Sequence, residues 1–114
     1  MNLGTILKAT GLPCYHAVWR ETPEYPQVPP QHLIYTHMAT EAEYADDKAS
    51  AYRLYAYLTL YSSSDVTQAI AAVRAAMREA GFRLDEERTG YDHDAGKFLV
   101  MWTWIGWEAN DDGT

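Results

Sequence analysis

Between residues 51 and 61 the chain reads Ala-Tyr-Arg-Leu-Tyr-Ala-Tyr-Leu-Thr-Leu-Tyr, and no other stretch restricts the fold as much. Side chains alternate across a strand, so in period two one face holds Tyr52, Leu54, Ala56, Leu58 and Leu60. The other face holds Arg53, Tyr55, Tyr57, Thr59 and Tyr61. The first face is core. The second is aromatic and amphipathic, which is more than a surface needs in order to meet water.

The segments on either side set what this strand packs with. Ser62-Ser63-Ser64-Asp65 supplies helix N-cap residues, and Asp65 with Gln68 has capping-box spacing. Val66, Ile70, Val73, Met77 and Ala80 then step by four and three, predicting a helix over 65–80 with one apolar stripe. Arg74 and Arg78 fall on its outer flank, and Gly81 stands at the helix stop. Residues 82–91 and 97–107 read as two strands, joined through the turn Asp92-His93-Asp94-Ala95-Gly96 into a β-hairpin.

Upstream, residues 3–10 predict a short helix stopped by Gly11 and Pro13, and residues 14–19 a short strand. Pro23, Pro26, Pro29 and Pro30 make residues 20–31 an extended loop or arm, because proline fixes φ and removes a donor. His32 to Met38 resumes as a strand, and residues 39–50 read as a polar connection with room for a short strand at 42–45. Residues 108–114 form an acidic, frayed tail. The expected fold is a single α+β domain over 1–107. Its antiparallel sheet has four to five strands, with the 65–80 helix on one face and the short N-terminal helix beside it.

Composition narrows the function classes. The 114 residues suffice for one domain with a single core. Lysine plus arginine number 9 against 16 aspartate plus glutamate, for a net charge of −7, and this balance argues against binding phosphate backbones. No apolar run approaches the roughly 20 residues that span a bilayer, so no membrane partner is expected. The start of the chain has no basic n-region followed by an apolar h-region, so no signal peptide is expected. Cys14 stands alone, which excludes an internal disulfide framework and points to a reducing compartment.

The constellations that carry catalysis are weak. His32 and His37 lie five apart on a strand and so point to opposite faces, while His16 and His93 lack a spaced partner; metal binding is disfavoured. Cys14 has no nucleophile signature around it and reads as a buried thiol. The seven glycines are scattered and form no phosphate loop. Asp46-Asp47, Asp85-Glu86-Glu87, Asp92 with Asp94, and Asp111-Asp112 sit in turns and polar connections, where solvation keeps carboxylates ordinary. No catalytic residue, cofactor or metal is assigned, and the chain is expected not to be an enzyme.

The aromatic residues need a different explanation. Nine tyrosines, four tryptophans and two phenylalanines make 13% of the chain, and residues 98–107 are bulky on both faces like residues 51–61. One helix covers one face of a sheet, so the second face is left to something else. Tyrosine and tryptophan are the side chains that anchor interfaces. The expected contact set is Tyr55, Tyr57, Tyr61 and Arg53, with Tyr25 from the proline-rich arm and Trp102 and Trp104 from the last strand. The competing arrangement has the 3–10 helix and the arm covering that face within the monomer.

The order of these features resembles a known group. Pro-Pro-Gln-His-Leu-Ile-Tyr at 29–35, Tyr-Ala-Asp-Asp-Lys at 44–48, the strand 52–61, the helix opened by Ser-Ser-Ser-Asp, the Gly-aromatic stop at 81–82 and an aromatic closing hairpin carry the resemblance. Over residues 29–107 the chain resembles the small neck proteins of long-tailed bacteriophages, the tail-terminator, head–tail joining and minor tail protein group. The resemblance implies a structural, non-enzymatic subunit of a homo-oligomeric ring, with a hexamer favoured. Its partners would be the tail tube protein and the head connector proteins. It also implies a place in the virion neck, with assembly in the host bacterial cytoplasm and DNA passing through the ring without sequence-specific contact. An acidic balance suits such a lumen. A small ligand-binding or regulatory α+β module, dimeric, with an aromatic pocket near Tyr55, Trp102 and Trp104, is the alternative. A ferredoxin-like βαββαβ domain fits the element order poorly.

Overall fold

The computed structural model describes residues 3–17, 29–45 and 48–109. The elements run α1 (Leu3–Lys8), β1 (Cys14–His16), β2 (Gln31–Ala45), β3 (Lys48–Ser62), α2 (Thr67–Glu79), β4 (Arg83–Asp92) and β5 (Lys97–Ala109). The fold is α+β, and its order is not βαββαβ. The five strands form one sheet in the order β1-β2-β3-β5-β4. All neighbours pair antiparallel except β1, an edge strand that lies parallel to β2.

Parallel pairing of β1 is held at both ends. The Leu33 N–H donates to the Pro13 carbonyl at 2.8 Å, and the Ala17 N–H donates to the Tyr35 carbonyl at 2.9 Å. Strands β2 and β3 are longer than their sequence suggests. Residues 39–45 and 48–50, expected as a polar connection with room for a short strand at 42–45, are instead the distal parts of two strands paired from Gln31↔Ser62 out to Ala45↔Lys48. Strands of 15 residues at about 3.3 Å per residue reach about 50 Å, which matches the 52 Å long dimension of the molecule. Asp46 and Asp47 of the Tyr-Ala-Asp-Asp-Lys turn lie outside the described residues, as do residues 18–28 of the arm and 110–114 of the tail. Strand β5 continues to Ala109, two residues into the stretch expected to fray.

Both helices pack on one face of the sheet. The core joins Leu3 and Leu7 of α1, Ala69, Val73 and Met77 of α2, Leu33 of β2, the even positions 54–60 of β3, and Val100, Trp102 and Trp104 of β5. The expected parity of residues 51–61 holds at Leu54, Ala56, Leu58 and Leu60. The helical stripe holds too, although α2 begins at Thr67 and no capping box forms. Asp65 stands one residue before the cap and accepts the Thr67 N–H at 2.9 Å and the Thr67 hydroxyl at 2.7 Å. These two donors hold its carboxyl below the usual aspartate range.

The helix ends in a Schellman arrangement. Gly81, at φ 92°, supplies the left-handed residue, the Phe82 N–H donates to the Met77 carbonyl, and the Gly81 N–H donates to the Arg78 carbonyl, both at 3.0 Å. The ring of Phe82 thereby drops onto Gly106 of β5. A Cβ at Gly106 would stand 2.8 Å from that ring, so any other residue there has to push the ring aside.

A bulge in β4 changes which residues face the helix. Leu84 pairs with Trp104, but Glu87, three residues on, pairs with Trp102, so the parity of β4 flips at Asp85. Glu87 therefore faces α2 rather than solvent. Arg74, expected on the outer flank of the helix, reaches it as a two-point fork, with Nε donating to Oε1 at 3.0 Å and Nη2 donating to Oε2. The Trp102 indole N–H donates to the same carboxylate.

Candidate interaction surface

The pairing registers define the face turned away from the helices. Across it run His32, Tyr61, Leu99 and Gly90, then Ile34, Thr59, Met101 and Arg88. Next come Thr36, Tyr57, Thr103 and Glu86, then Met38, Tyr55, Ile105 and Arg83. Arg53 and Trp107 pair beyond them. No helix among the described residues lies on this face.

Its chemistry is that of a wet apolar patch with charged margins. Met38, Tyr57, Met101 and Trp107 are all exposed, Tyr57 by 39% and Trp107 by 54%. Tyr55 and Tyr57 lie near-parallel, ring centroids 6.5 Å apart. The Arg53 guanidinium sits 4.9 Å over the Trp107 ring, a cation–π contact. Along the β4 edge Glu86 and Arg88 form an ion pair. Beside that pair an open trough of about 340 Å³ runs past Tyr57, Thr59, Met101 and Thr103. Large amphipathic rings in the middle with charges at the rim is the layout of protein interfaces.

The expected contact residues divide. Tyr55, Tyr57, Tyr61 and Arg53 all stand on this face. Trp102 and Trp104 do not, and the expectation for them is corrected: they sit on the helix-covered face, Trp104 with no exposure at all. Their strand presents Met101, Ile105 and Trp107 to the open side instead. Tyr25 lies outside the described residues. The aromatic pocket expected near Tyr55, Trp102 and Trp104 does not form, because Tyr55 and the two tryptophans are on opposite sides of the sheet. The N-terminal helix does not cover the open face either; α1 packs beside α2. Met38, Met101 and Trp107 were missed, and the signal for them was the register of β2 and of β5 against β3, which strand alternation alone does not contain.

The titratable groups are placed for structure. Burial pushes the Cys14 thiol above its ordinary value, against a smaller opposing effect of Thr10, and its S–H donates to the Leu12 carbonyl at 3.1 Å. A thiol so held is not a ready nucleophile. His32 is buried at the start of the open face, with Nδ1 3.2 Å from the Pro29 carbonyl. Burial pushes it below the ordinary histidine value, outweighing that carbonyl, and the nearby Lys97 adds to the lowering. The fork from Arg74, and secondarily the Trp102 indole, hold Glu87 below the ordinary glutamate range. His32 and His37 are on opposite faces, as their spacing requires. No group of three or more metal-ligating side chains occurs among the described residues.

No family model matches the chain, and no curated protein matches its sequence. Among the described residues no helix is long and apolar enough to cross a membrane.

Proposed function

We propose that this chain is a structural subunit that associates with copies of itself through the open sheet face, forming a ring at the head-proximal end of a phage tail as a tail-terminator or head–tail joining protein. The observation that carries the reading is the exposed row Met38, Tyr57, Met101 and Trp107 on a face without a covering helix among the described residues. Burying four such side chains between subunits removes several hundred Å² of apolar surface from water, at about 25 cal/mol per Å². Where the open face of one copy meets an edge strand of the next, the contact is head-to-tail, and it closes into a ring when its rotation divides a full turn. The acidic charge of −7 supports the reading as well, since a like-charged lumen lets DNA slide without holding it. In this reading the protein is not an enzyme and needs no cofactor. Its partners are the tail tube and the head connector, and its place is the virion neck after assembly in the bacterial cytoplasm.

Electron microscopy of the purified chain at high concentration tests this. Closed rings of about six subunits are expected; a field of single small particles at every concentration would count against it.

One feature favours a ligand-binding module instead. On the helix side a small cavity of about 130 Å³ is lined by Leu3, His37, Leu54 and Phe82. A ligand there would raise the melting temperature by binding only the folded chain. The volume is below that of ordinary small-molecule sites, so the ring reading stands first.

A further inference from the structure

Two histidines far apart in sequence are neighbours in the sheet. His16 is the last residue of β1, and the parallel register sets it beside Tyr35 of β2. His37 is the next residue along β2 on the same face. The two imidazole rings stand with centroids 6.0 Å apart, tilted by 53°, and both side chains are exposed.

That separation suits a shared ion. With metal–nitrogen bonds of about 2.0–2.1 Å, two imidazoles on one ion have centroids roughly 5–6 Å apart. The backbone beneath them is fixed, since the bonds from Leu33 to Pro13 and from Ala17 to Tyr35 bracket β1. Tyr35 meets the His16 ring edge-on at 5.4 Å and limits its swing. Ala17, directly after His16, has φ 68°, the one positive φ of a non-glycine residue among those described. A left-handed alanine costs energy that local structure must offset, and here it ends the strand where His16 faces His37.

We propose that His16 and His37 form a two-imidazole site for a divalent transition-metal ion of borderline character, Cu²⁺, Ni²⁺ or Zn²⁺. Neutral nitrogen ligands favour these ions over Mg²⁺ or Ca²⁺, which take oxygen. Cys14, two residues before His16 on the same face, is not counted among the ligands: its half-buried thiol lies against the Leu12 and Leu7 carbonyls. Water fills the remaining positions, so the ion stays exchangeable. The other two histidines serve as internal controls. His32 is buried on Tyr61, and His93 packs edge-on against Tyr91 at 4.9 Å.

The test uses the full chain without an affinity tag, titrated with Cu²⁺ and followed by NMR of the histidine ring protons and by calorimetry. Substoichiometric Cu²⁺ should broaden the His16 and His37 resonances together, before those of His93. His16→Asn and His37→Asn should each weaken binding by roughly tenfold or more, as lost coordination support does in metal sites, while His93→Asn leaves it unchanged. Circular dichroism checks that each variant is folded, and if one is not, the broadening pattern of the native chain decides. Broadening that reaches His93 first or spreads evenly over the exposed histidines, or binding that survives both variants, would overturn the site.

Discussion

Tyr61 of β3 stacks face to face on His32 of β2, ring centroids 4.9 Å apart and planes 7° from parallel. The pair closes one end of the open sheet face, and the Pro29 carbonyl beside it also accepts from Lys97 Nζ at 3.2 Å. A histidine held this way favours its neutral form.

That preference makes stability depend on pH. The folded chain holds His32 below the ordinary value, mainly through burial, so the unfolded chain takes up the proton first. The contribution of His32 is fully present above the unfolded value of about 6.5 and is lost as pH falls below it, until the folded His32 titrates. The melting temperature should therefore drop between about pH 7.5 and 5.5, and His32→Phe, which keeps a ring on Tyr61, should flatten that slope. An unchanged slope in the variant would show that the dependence arises elsewhere.

Glu87 works in the acid range. Its folded carboxyl lies below the ordinary value, so its contribution is present above about pH 4.3 and fades as pH falls through the folded value. Glu87→Gln should lower the melting temperature at neutral pH and bring it closer to the native chain's in acid. It should also shift the emission of Trp102, whose indole N–H points at this carboxylate.

Adjacent residues on β3 should behave oppositely. Leu58 is in the core and Tyr57 is exposed. Leu58→Ala is expected to cost about 2–5 kcal/mol in chemical denaturation, whereas Tyr57→Ala stays within about 0.5 kcal/mol when both are measured at a concentration where the chain is monomeric. Comparable losses at both positions would mean that the faces are assigned wrongly.

Gly106→Ala should cost about 1–3 kcal/mol, because the new methyl has to displace the Phe82 ring. In a Phe82→Leu background the same substitution should cost less, and a double-mutant cycle reads the difference. Full additivity would place the strain somewhere other than this contact.

What the sequence made legible was local. The four-and-three stepping of Val66 to Ala80, the alternation of residues 51–61 and the Gly81 stop need no distant partner, and they appear in the structure nearly where expected. Most of the distal hairpin was not legible, because Ala39-Thr40-Glu41-Ala42-Glu43 has Thr40 as its one β-branched residue and no aromatic, and it is strand through pairing with β3. Trp102 and Trp104 were put on the wrong side because alternation sorts residues into two sets without saying which set meets the helix; only the pairing of Leu58 with Trp102 does that. The bulge at Asp85 carries no glycine to announce it, so Glu87 read as a solvated acid. The nearness of His16 and His37 depends on a parallel edge strand, joined across residues whose spacing gives no hint of it.

Light scattering coupled to gel filtration, on the native chain and on Tyr57→Glu across a wide concentration series, tests most directly whether the open face is an assembly surface. The expected result is a ring-sized native species of about six subunits and a folded, monomeric Tyr57→Glu chain, since a carboxylate buried at the centre of an apolar contact is costly. A native chain and a variant with the same mass at every concentration, both folded, would contradict it.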